Sequence, residues 1–388
     1  MHEYVLVLIV AAAVTYLATP FIRSVAVATG AFTAVRERDV HKTPIPRLGG
    51  VGMYVGFVAA ALVARNLPYL GNLFKDRQIL GVIAAGGIVC LVGAFDDIRE
   101  LDWLTKLAGQ ILAAGLMAYA GVQLLSLPIS GTTILPTPVL VTFTVIVVIA
   151  STNAVNFIDG LDGLVAGVCL IANGIFFVYS YLLVRDTGAS SYFNLASFIA
   201  AVLIGVCLGF LPLNWSPAKL FMGDSGALVL GLLMATSAIA ITGQIDPAII
   251  DQPDRLGRSQ LLSAFVPILL PVVIVLLPLL DFGLAVIRRM GAGKSPFSPD
   301  RKHLHHRMLD MGHTDRGAVL VFYAWTAIVG FSMLLMYVFS VYVTPGDYWP
   351  GIVFGVAGVI ACLVVTFLPT ARRRRAPAAS APTLETHR

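Results

Sequence analysis

Charge is what this sequence has least of. Only 12% of its 388 residues are Asp, Glu, Lys or Arg, about half the usual share of roughly 25% in soluble domains. An ordinary water-soluble globular protein of this length is therefore excluded. Cysteine is scarce too. Cys90, Cys169, Cys207 and Cys362 each lie inside an apolar run, and no pair has metal-ligand spacing. A disulfide scaffold and a zinc ribbon are excluded, and the four thiols read as small core residues. No base-reading motif occurs, so the isoelectric point near 9.1 is no sign of a nucleic-acid partner. No internal repeat and no stretch of soluble-domain composition is found. The first apolar run has neither a basic leader nor a small-residue cleavage site, so it reads as a retained span and not a removed signal.

What is present is hydrocarbon. Hydrophobic residues make up 58% of the chain, with a mean hydropathy of +0.87. They gather in eleven runs, at about 4–22, 49–66, 79–95, 106–122, 137–154, 163–184, 194–211, 224–243, 261–287, 318–342 and 350–369. Each approaches the roughly 20 residues that a helix needs to cross a bilayer. The expected fold is all-α, a polytopic integral membrane protein with eleven transmembrane helices. The runs at 79–95 and 106–122 are short and rich in Gly and Ala, which suits close helix packing inside a bundle.

Basic residues orient the bundle. With the N-terminus outside and the C-terminus cytoplasmic, the inner loops and the tail hold 20 of the 26 Lys and Arg, as the positive-inside rule requires. The inner loops are then 23–48, 96–106, 151–163, 212–223 and 288–317. They sit within one transmembrane domain, 1–371, followed by a basic tail, 372–388. The tail opens on "RRRR", and its end, "APAASAPTLETHR", reads as disordered.

The polar motifs all fall on that inner side. They are "HKTPIPRLGG" (41–50), "FDDIRELDWLTKLAGQ" (95–110), "NAVNFIDGLDG" (153–163), "NWSPAKLFMGDSG" (214–226) and "SPDRKHLHHRMLDMGH" (298–313). A transporter places its polar groups near the midplane, reachable from both faces. A one-sided set suits an enzyme that draws one substrate from the cytosol and another from the bilayer.

Carboxylates at the edge of hydrocarbon are costly. Asp96 and Asp97 are adjacent at the end of a span, with Asp102 five residues beyond. They are either capping residues or a site for Mg²⁺ or for a base. Lys106 opens the next span, where it either snorkels to the interface or holds a lipid phosphate. Asn156, Asp159 and Asp162 are spaced by three, beside Gly160 and Gly163; capping explains one such polar residue better than three. Asp224, between glycines at the mouth of a span, has no basic partner in its own motif, Lys219 being five residues back. It is either an N-cap or a metal-binding carboxylate beside free backbone N–H groups. "DRKHLHHR" sets three Lys or Arg and three His beside Asp300. Phosphate or sugar contact is favoured there. Zinc on His305 and His306 is disfavoured, because no cysteine is near and the cluster is too basic. Asp281 and Arg288, seven residues apart, read as a structural ion pair. The whole set suits phosphoryl transfer, where cations and positioning do most of the catalysis.

On these motifs, from "PIPRLGG" to "HLHHRML", the sequence resembles the polyprenyl-phosphate N-acetylhexosamine-1-phosphate transferases over nearly its whole length. It is most similar to the bacterial undecaprenyl- or decaprenyl-phosphate GlcNAc-1-phosphate transferases. The related transferase of phospho-MurNAc-pentapeptide has "HHHFE" where this chain reads "HLHHRML", and "GTPTMGG" in its first inner loop; the roles of Lys42 and Arg47 are therefore left open. The resemblance implies transfer of GlcNAc-1-phosphate from UDP-GlcNAc to polyprenyl phosphate, with release of UMP. It implies Mg²⁺, with Mn²⁺ as a substitute, and a place in the bacterial inner membrane at the first membrane step of a cell-envelope polysaccharide. Homodimerisation is compatible with it. Asp224 and Asn156 match metal ligands. Asp96, Asp97 and Asp159 match catalytic carboxylates, Asp97 as acceptor of the lipid phosphate proton or as its orienting group. Asp162, Asn214 and Phe221 match nucleotide-binding positions, Phe221 by stacking on uracil. Lys106, Arg301, His305 and His306 match groups that hold phosphate and sugar. The competing readings are the pentapeptide transferase and a transporter or flippase of an anionic lipid. CDP-alcohol transferases are excluded because "DGLDGLVAG" lacks their AR and their later aspartate pair, and aromatic prenyltransferases because the His/Arg loop has no place in them.

Overall fold

The computed structural model describes residues 1–32, 44–124, 127–128, 132–133, 136–187, 191–242, 290–291, 293, 313–344 and 346–367. Apart from a two-residue ladder between Leu127–Pro128 and Thr132–Thr133, its regular elements are helical. The long helices are α1 (His2–Thr29), α2 (Gly49–Ala64), α3 (Gln78–Ile98), α4 (Trp103–Tyr119), α5 (Thr137–Ile158), α6 (Leu164–Thr187), α7 (Ser191–Asn214), α8 (Gly223–Thr242), α9 (Asp315–Val338) and α10 (Trp349–Phe367). Eight of them are long and apolar enough to cross a membrane, and α2 is a shorter apolar helix. The protein is a polytopic membrane protein. Ten of the eleven apolar runs thus coincide with helices. The run 261–287, the Asp281–Arg288 pair and the tail 372–388 lie outside the described residues.

The helices are apolar nearly all round, as expected where the solvent is lipid on one side and protein on the other. α8 is the axis of the bundle, flanked by α2, α3, α5 and α7. Its residues from Ala227 to Leu230 are all buried, whereas α1 and α10 turn most of their surface outward. Small residues let α8 into that position. A Cβ on Gly50 of α2 would strike the backbone of Gly226, and one on Gly93 of α3 would strike the backbone of Ser225. The Gly/Ala-rich third and fourth runs pack closely too, as their composition suggested: a Cβ on Gly81 would strike Ala120, and one on Gly109 would strike Val92. All four cysteines are unpaired and buried.

The chain ends its helices at one pole of the bundle in a regular way. α1 closes on Gly30 at φ 72°, a left-handed C-cap that glycine adopts without penalty. α4 opens on Asp102, whose carboxylate accepts from Thr105 N at 3.0 Å. α9 opens on Thr314, whose hydroxyl accepts from Gly317 N at 3.1 Å. Capping is thus the role of Asp102. The opposite pole is tied by Glu3, which accepts from Tyr69 N at 3.1 Å and Leu70 N at 2.8 Å.

Candidate active site

The C-terminal ends of α3, α5 and α7 meet the N-terminal ends of α2, α4, α6 and α8. This is where the polar motifs come together. Asp96 and Asp97 lie in the last turn of α3 and are almost fully buried. Burying two carboxylates demands partners, and the two take different ones.

Asp97 faces α8. Its Oδ1 accepts from Asp224 N at 2.9 Å, and its Oδ2 accepts from Ser225 N at 3.1 Å and from Ser225 Oγ at 2.8 Å. A carboxylate 127 residues upstream in sequence therefore caps α8, satisfying two of the N–H groups that a helix start leaves open. The backbone N–H groups expected to be free for a phosphate are already taken. Gly223, at φ 69°, makes the fit possible, since a Cβ there would collide with the Asp97 carboxylate.

Asp96 faces α4. Lys106 Nζ lies 2.6 Å from Asp96 Oδ2 and 2.9 Å from Asp224 Oδ2, and Leu101 N donates to Asp96 Oδ1 at 2.8 Å. Asn156, in the last turn of α5, donates its amide to Asp224 Oδ1 at 3.0 Å. Asp224, without a basic partner in its own motif, takes its cation from α4. Of the two readings of Lys106, snorkelling to the interface is set aside, because two carboxylates draw it into the site.

Asp159 follows α5. Its carboxyl is set deep among protein atoms, though part of the side chain still reaches the surface. Burial first, then the charges of Asp224 and Asp97, push it up to about 7, while Arg47 pulls the other way. Arg47 thus stands near the acids, on the loop that leads into α2. That loop pairs with the start of α8: Phe221 N donates to Pro46 O at 2.9 Å, Gly49 N to Phe221 O at 3.0 Å and Gly50 N to Met222 O at 2.9 Å. Between them Leu48 takes φ 92°, the positive-φ non-glycine of the described chain; such strain persists only where its surroundings fix it.

Asp162 and Asn214 organise the loop before α8. Asp162 Oδ2 accepts from Ala218 N at 2.9 Å. Asn214 accepts from Gly163 N at 3.0 Å and donates to Leu220 O at 3.1 Å. Arg23 of α1 donates to Lys219 O at 3.1 Å. Phe221, half-buried, is carried by this pinned loop. Lys42, Arg301, His305 and His306 lie outside the described residues.

Reading the sequence missed several residues that complete the arrangement. Ser225 joins the Asp97 cap. Asn153 Nδ2 donates to Gln110 Oε1 at 2.8 Å in a partly buried hydrogen bond, one turn deeper than Lys106 and Asn156 on the same two helices. The signal was available: Lys106 and Gln110, four apart, and Asn153 and Asn156, three apart, put polar groups on one face of an apolar helix.

Asp96, Asp97, Asp159 and Asp224 share this small volume with Lys106 and Arg47, an excess of negative charge. Among the described residues no cluster of three or more His, Cys, Asp or Glu forms a ready metal cage. The donors are hard oxygens all the same. That fits Mg²⁺, which takes one or two protein carboxylates and completes its shell with water and substrate phosphates.

The sequence profile of glycosyl transferase family 4 matches residues 79–242, from the start of α3 to the end of α8. The decaprenyl-phosphate N-acetylglucosaminephosphotransferase of Mycolicibacterium smegmatis is 41% identical over 378 residues, 96% of this chain and 90% of that protein. The enzyme of the same name from Mycobacterium tuberculosis H37Rv is 39% identical over 378 residues, with the same coverage of 96% and 90%. A probable undecaprenyl-phosphate N-acetylglucosaminyl 1-phosphate transferase of Bacillus subtilis is 29% identical over 339 residues, 87% of this chain and 86% of that protein. With the first of these matched across almost its entire length, the chain belongs to glycosyl transferase family 4.

Proposed function

We propose that this protein transfers GlcNAc-1-phosphate from UDP-GlcNAc to a polyprenyl phosphate. An oxygen of the lipid phosphate attacks the β-phosphorus of UDP-GlcNAc. The bond from that phosphorus to the bridging oxygen breaks, and UMP leaves with the bond's electron pair. The product is polyprenyl-diphosphate-GlcNAc. The observation that carries this reading is the Asp96–Lys106–Asp224–Asn156 cluster at the mouth of an apolar bundle. A cation and several carboxylates gathered there support a site for a water-borne diphosphate and a lipid head group. The names of the relatives supply the sugar and the lipid.

In this reading the transferase domain is 1–371, with eleven crossings, the N-terminus outside and the site on the cytoplasmic face of a bacterial inner membrane. The distribution of Lys and Arg supports that orientation. Asp224 and Asn156 would hold Mg²⁺, which would neutralise charge on the diphosphate. Lys106, released from Asp96 and Asp224, binds a phosphate oxygen. Asp159 orients the attacking phosphate or takes its proton. The structure gives Asp97 three donors from α8, so we assign it the positioning of Asp224. Phe221 stacks on uracil, in a wall built by Asp162 and Asn214. Arg301, His305 and His306 hold the diphosphate and the sugar.

The test is incubation of the purified protein with a panel of UDP-sugars and polyprenyl phosphate, with and without Mg²⁺. UMP release with UDP-GlcNAc, dependent on both lipid and Mg²⁺, is the expected result. Release from UDP-MurNAc-pentapeptide instead would move the protein to the cell-wall branch. No release with any sugar would overturn the reading.

A further inference from the structure

α9 reaches back to the site in a way that the proposed chemistry does not require. Arg316 and Tyr323 are seven residues apart, so they share one face of the helix. Arg316 donates to a single carbonyl, Ser216 O, from Nη2 at 2.6 Å and from Nε at 3.1 Å. Tyr323 Oη donates to Gly163 O at 2.5 Å. The two acceptors belong to different loops, one between α5 and α6 and the other between α7 and α8. The Tyr323 ring also lies 6.3 Å from that of Trp215, and Gly167 of α6 lacks the Cβ that would strike it.

These contacts continue inward. Gly163 accepts from Tyr323 through its carbonyl and donates through its N–H to Asn214 Oδ1 at 3.0 Å. Asn214 passes the constraint to Leu220 O at 3.1 Å, and Phe221 is next in the chain. Ser216, held by Arg316, is two residues from Ala218, whose N–H is held by Asp162. Every link is a backbone group gripped by a side chain, so the route is stiff. It runs to the nucleotide side of the site. Lys106, Asp96 and Asp224 are held by other bonds.

We propose that Arg316 and Tyr323 are positioning residues for the nucleoside-diphosphate donor. They fix the separation of the Gly163 and Ser216 loops, and with it the wall against which the base lies. The inference rests on the proposed function, since it takes Phe221 and its loop as the nucleotide wall. Misplacing a binding group by a fraction of its reach weakens binding without any contact being lost directly.

The experiment compares Tyr323→Phe, Arg316→Gln, Arg316→Lys and the Tyr323→Phe/Arg316→Gln double variant with wild type in one detergent. UDP affinity is measured by calorimetry, KM for UDP-GlcNAc and for polyprenyl phosphate by UMP release, and folding by thermal unfolding. Tyr323→Phe and Arg316→Gln should each weaken UDP on the order of three- to tenfold. KM for UDP-GlcNAc should rise with it, and KM for polyprenyl phosphate should stay put. Arg316→Lys, which can still donate to Ser216 O, should recover part of the loss. The double variant should lose less than the product of the two single losses, because both contacts define one separation. Unchanged UDP affinity beside a lowered unfolding temperature would overturn the proposal, as would equal loss for both substrates. If wild type binds UDP but releases no UMP with polyprenyl phosphate, the transfer reaction is what fails, and the UDP affinities still decide the role of α9. If wild type does not bind UDP, both fall.

Discussion

Asp97 and Asp224 hold one another in place without touching carboxylate to carboxylate. The backbone N–H of Asp224 donates to Asp97 Oδ1 at 2.9 Å. That bond aims the Asp224 side chain at Lys106 and Asn156, which take its two oxygens at 2.9 and 3.0 Å. One acid is spent on structure so that the other can be presented.

Asp97→Asn keeps one acceptor oxygen and should cost less than Asp97→Ala, which takes the acceptor from both Asp224 N and Ser225 N and leaves Ser225 Oγ only Met222 O. Loss of a helix cap costs about 0.5–2 kcal/mol, and the alanine variant should sit at the upper end of that range. Thermal unfolding in detergent measures it. Equal stability of both variants and wild type would deny the cap.

Asp224→Asn preserves shape and one acceptor but removes a charge. If Asp224 binds Mg²⁺, the concentration giving half-maximal UMP release should rise on the order of tenfold or more, because affinity for hard cations follows ligand charge. The protein should still extract and unfold normally. Matching Mg²⁺ curves for variant and wild type would remove Asp224 from the metal's ligands.

Gln110 and Asn153 should be coupled energetically. In a double-mutant cycle with Leu at each position, interhelical hydrogen bonds in membrane proteins contribute about 0.6 kcal/mol, up to about 1.7. The pair lies one turn below the grip on Asp224, so each single variant should also lower kcat. Additive stabilities with full activity would count against any role in setting that grip.

The Asp159 carboxyl, raised to about 7, gives a stability difference with a definite sign. The native state binds this proton more tightly than the unfolded chain, so the contribution is greatest at low pH and is lost as pH rises through about 7. In the substrate-free and metal-free protein, Asp159→Asn should gain in unfolding temperature relative to wild type between pH 6 and pH 8. A difference that is flat or shrinks with rising pH would show the carboxyl is ionised throughout.

Phe221→Ala should weaken UDP-GlcNAc more than polyprenyl phosphate, by about 1–3 kcal/mol if the ring stacks as aromatic platforms stack on bases elsewhere. KM values for the two substrates measure it. Equal loss for both would take Phe221 off the uracil.

Hydropathy placed the helices well because a bilayer demands long apolar runs whatever the tertiary structure. It ended them too early at the site. The runs were cut at 95, 154 and 211, whereas α3, α5 and α7 continue to Ile98, Ile158 and Asn214. Asp96, Asp97, Asn156 and Asn214 lie inside the helical ends, and polar residues there look like loop to a hydropathy scale. Among the described motif residues, Asp96, Asp97, Lys106, Asn156 and Asp224 come together at one pole. The resemblance gave Asp97 a role at the lipid phosphate, and its three donors from α8 were not legible, since two adjacent aspartates differ only in which helix each faces. Lys106 stayed open between an interfacial lysine and a phosphate ligand because its two partners, Asp96 and Asp224, are 10 and 118 residues away. Arg316 and Tyr323 carried no signal, since their acceptors are backbone carbonyls and any sequence supplies those.

The meeting of Gly50 with Gly226, and of Gly93 with Ser225, sets α2 and α3 each backbone to backbone against the first turn of α8. Elsewhere in a protein, side chains absorb small shifts by changing rotamer. At these two contacts main chain rests on main chain, and no rotamer change is on offer. A displacement of α2 or α3 therefore arrives undamped at the first turn of α8, and Asp224 moves as part of a rigid body. The geometry at its carboxylate is set by where whole helices stand, and a single added methyl group at that junction would act as a wedge between them.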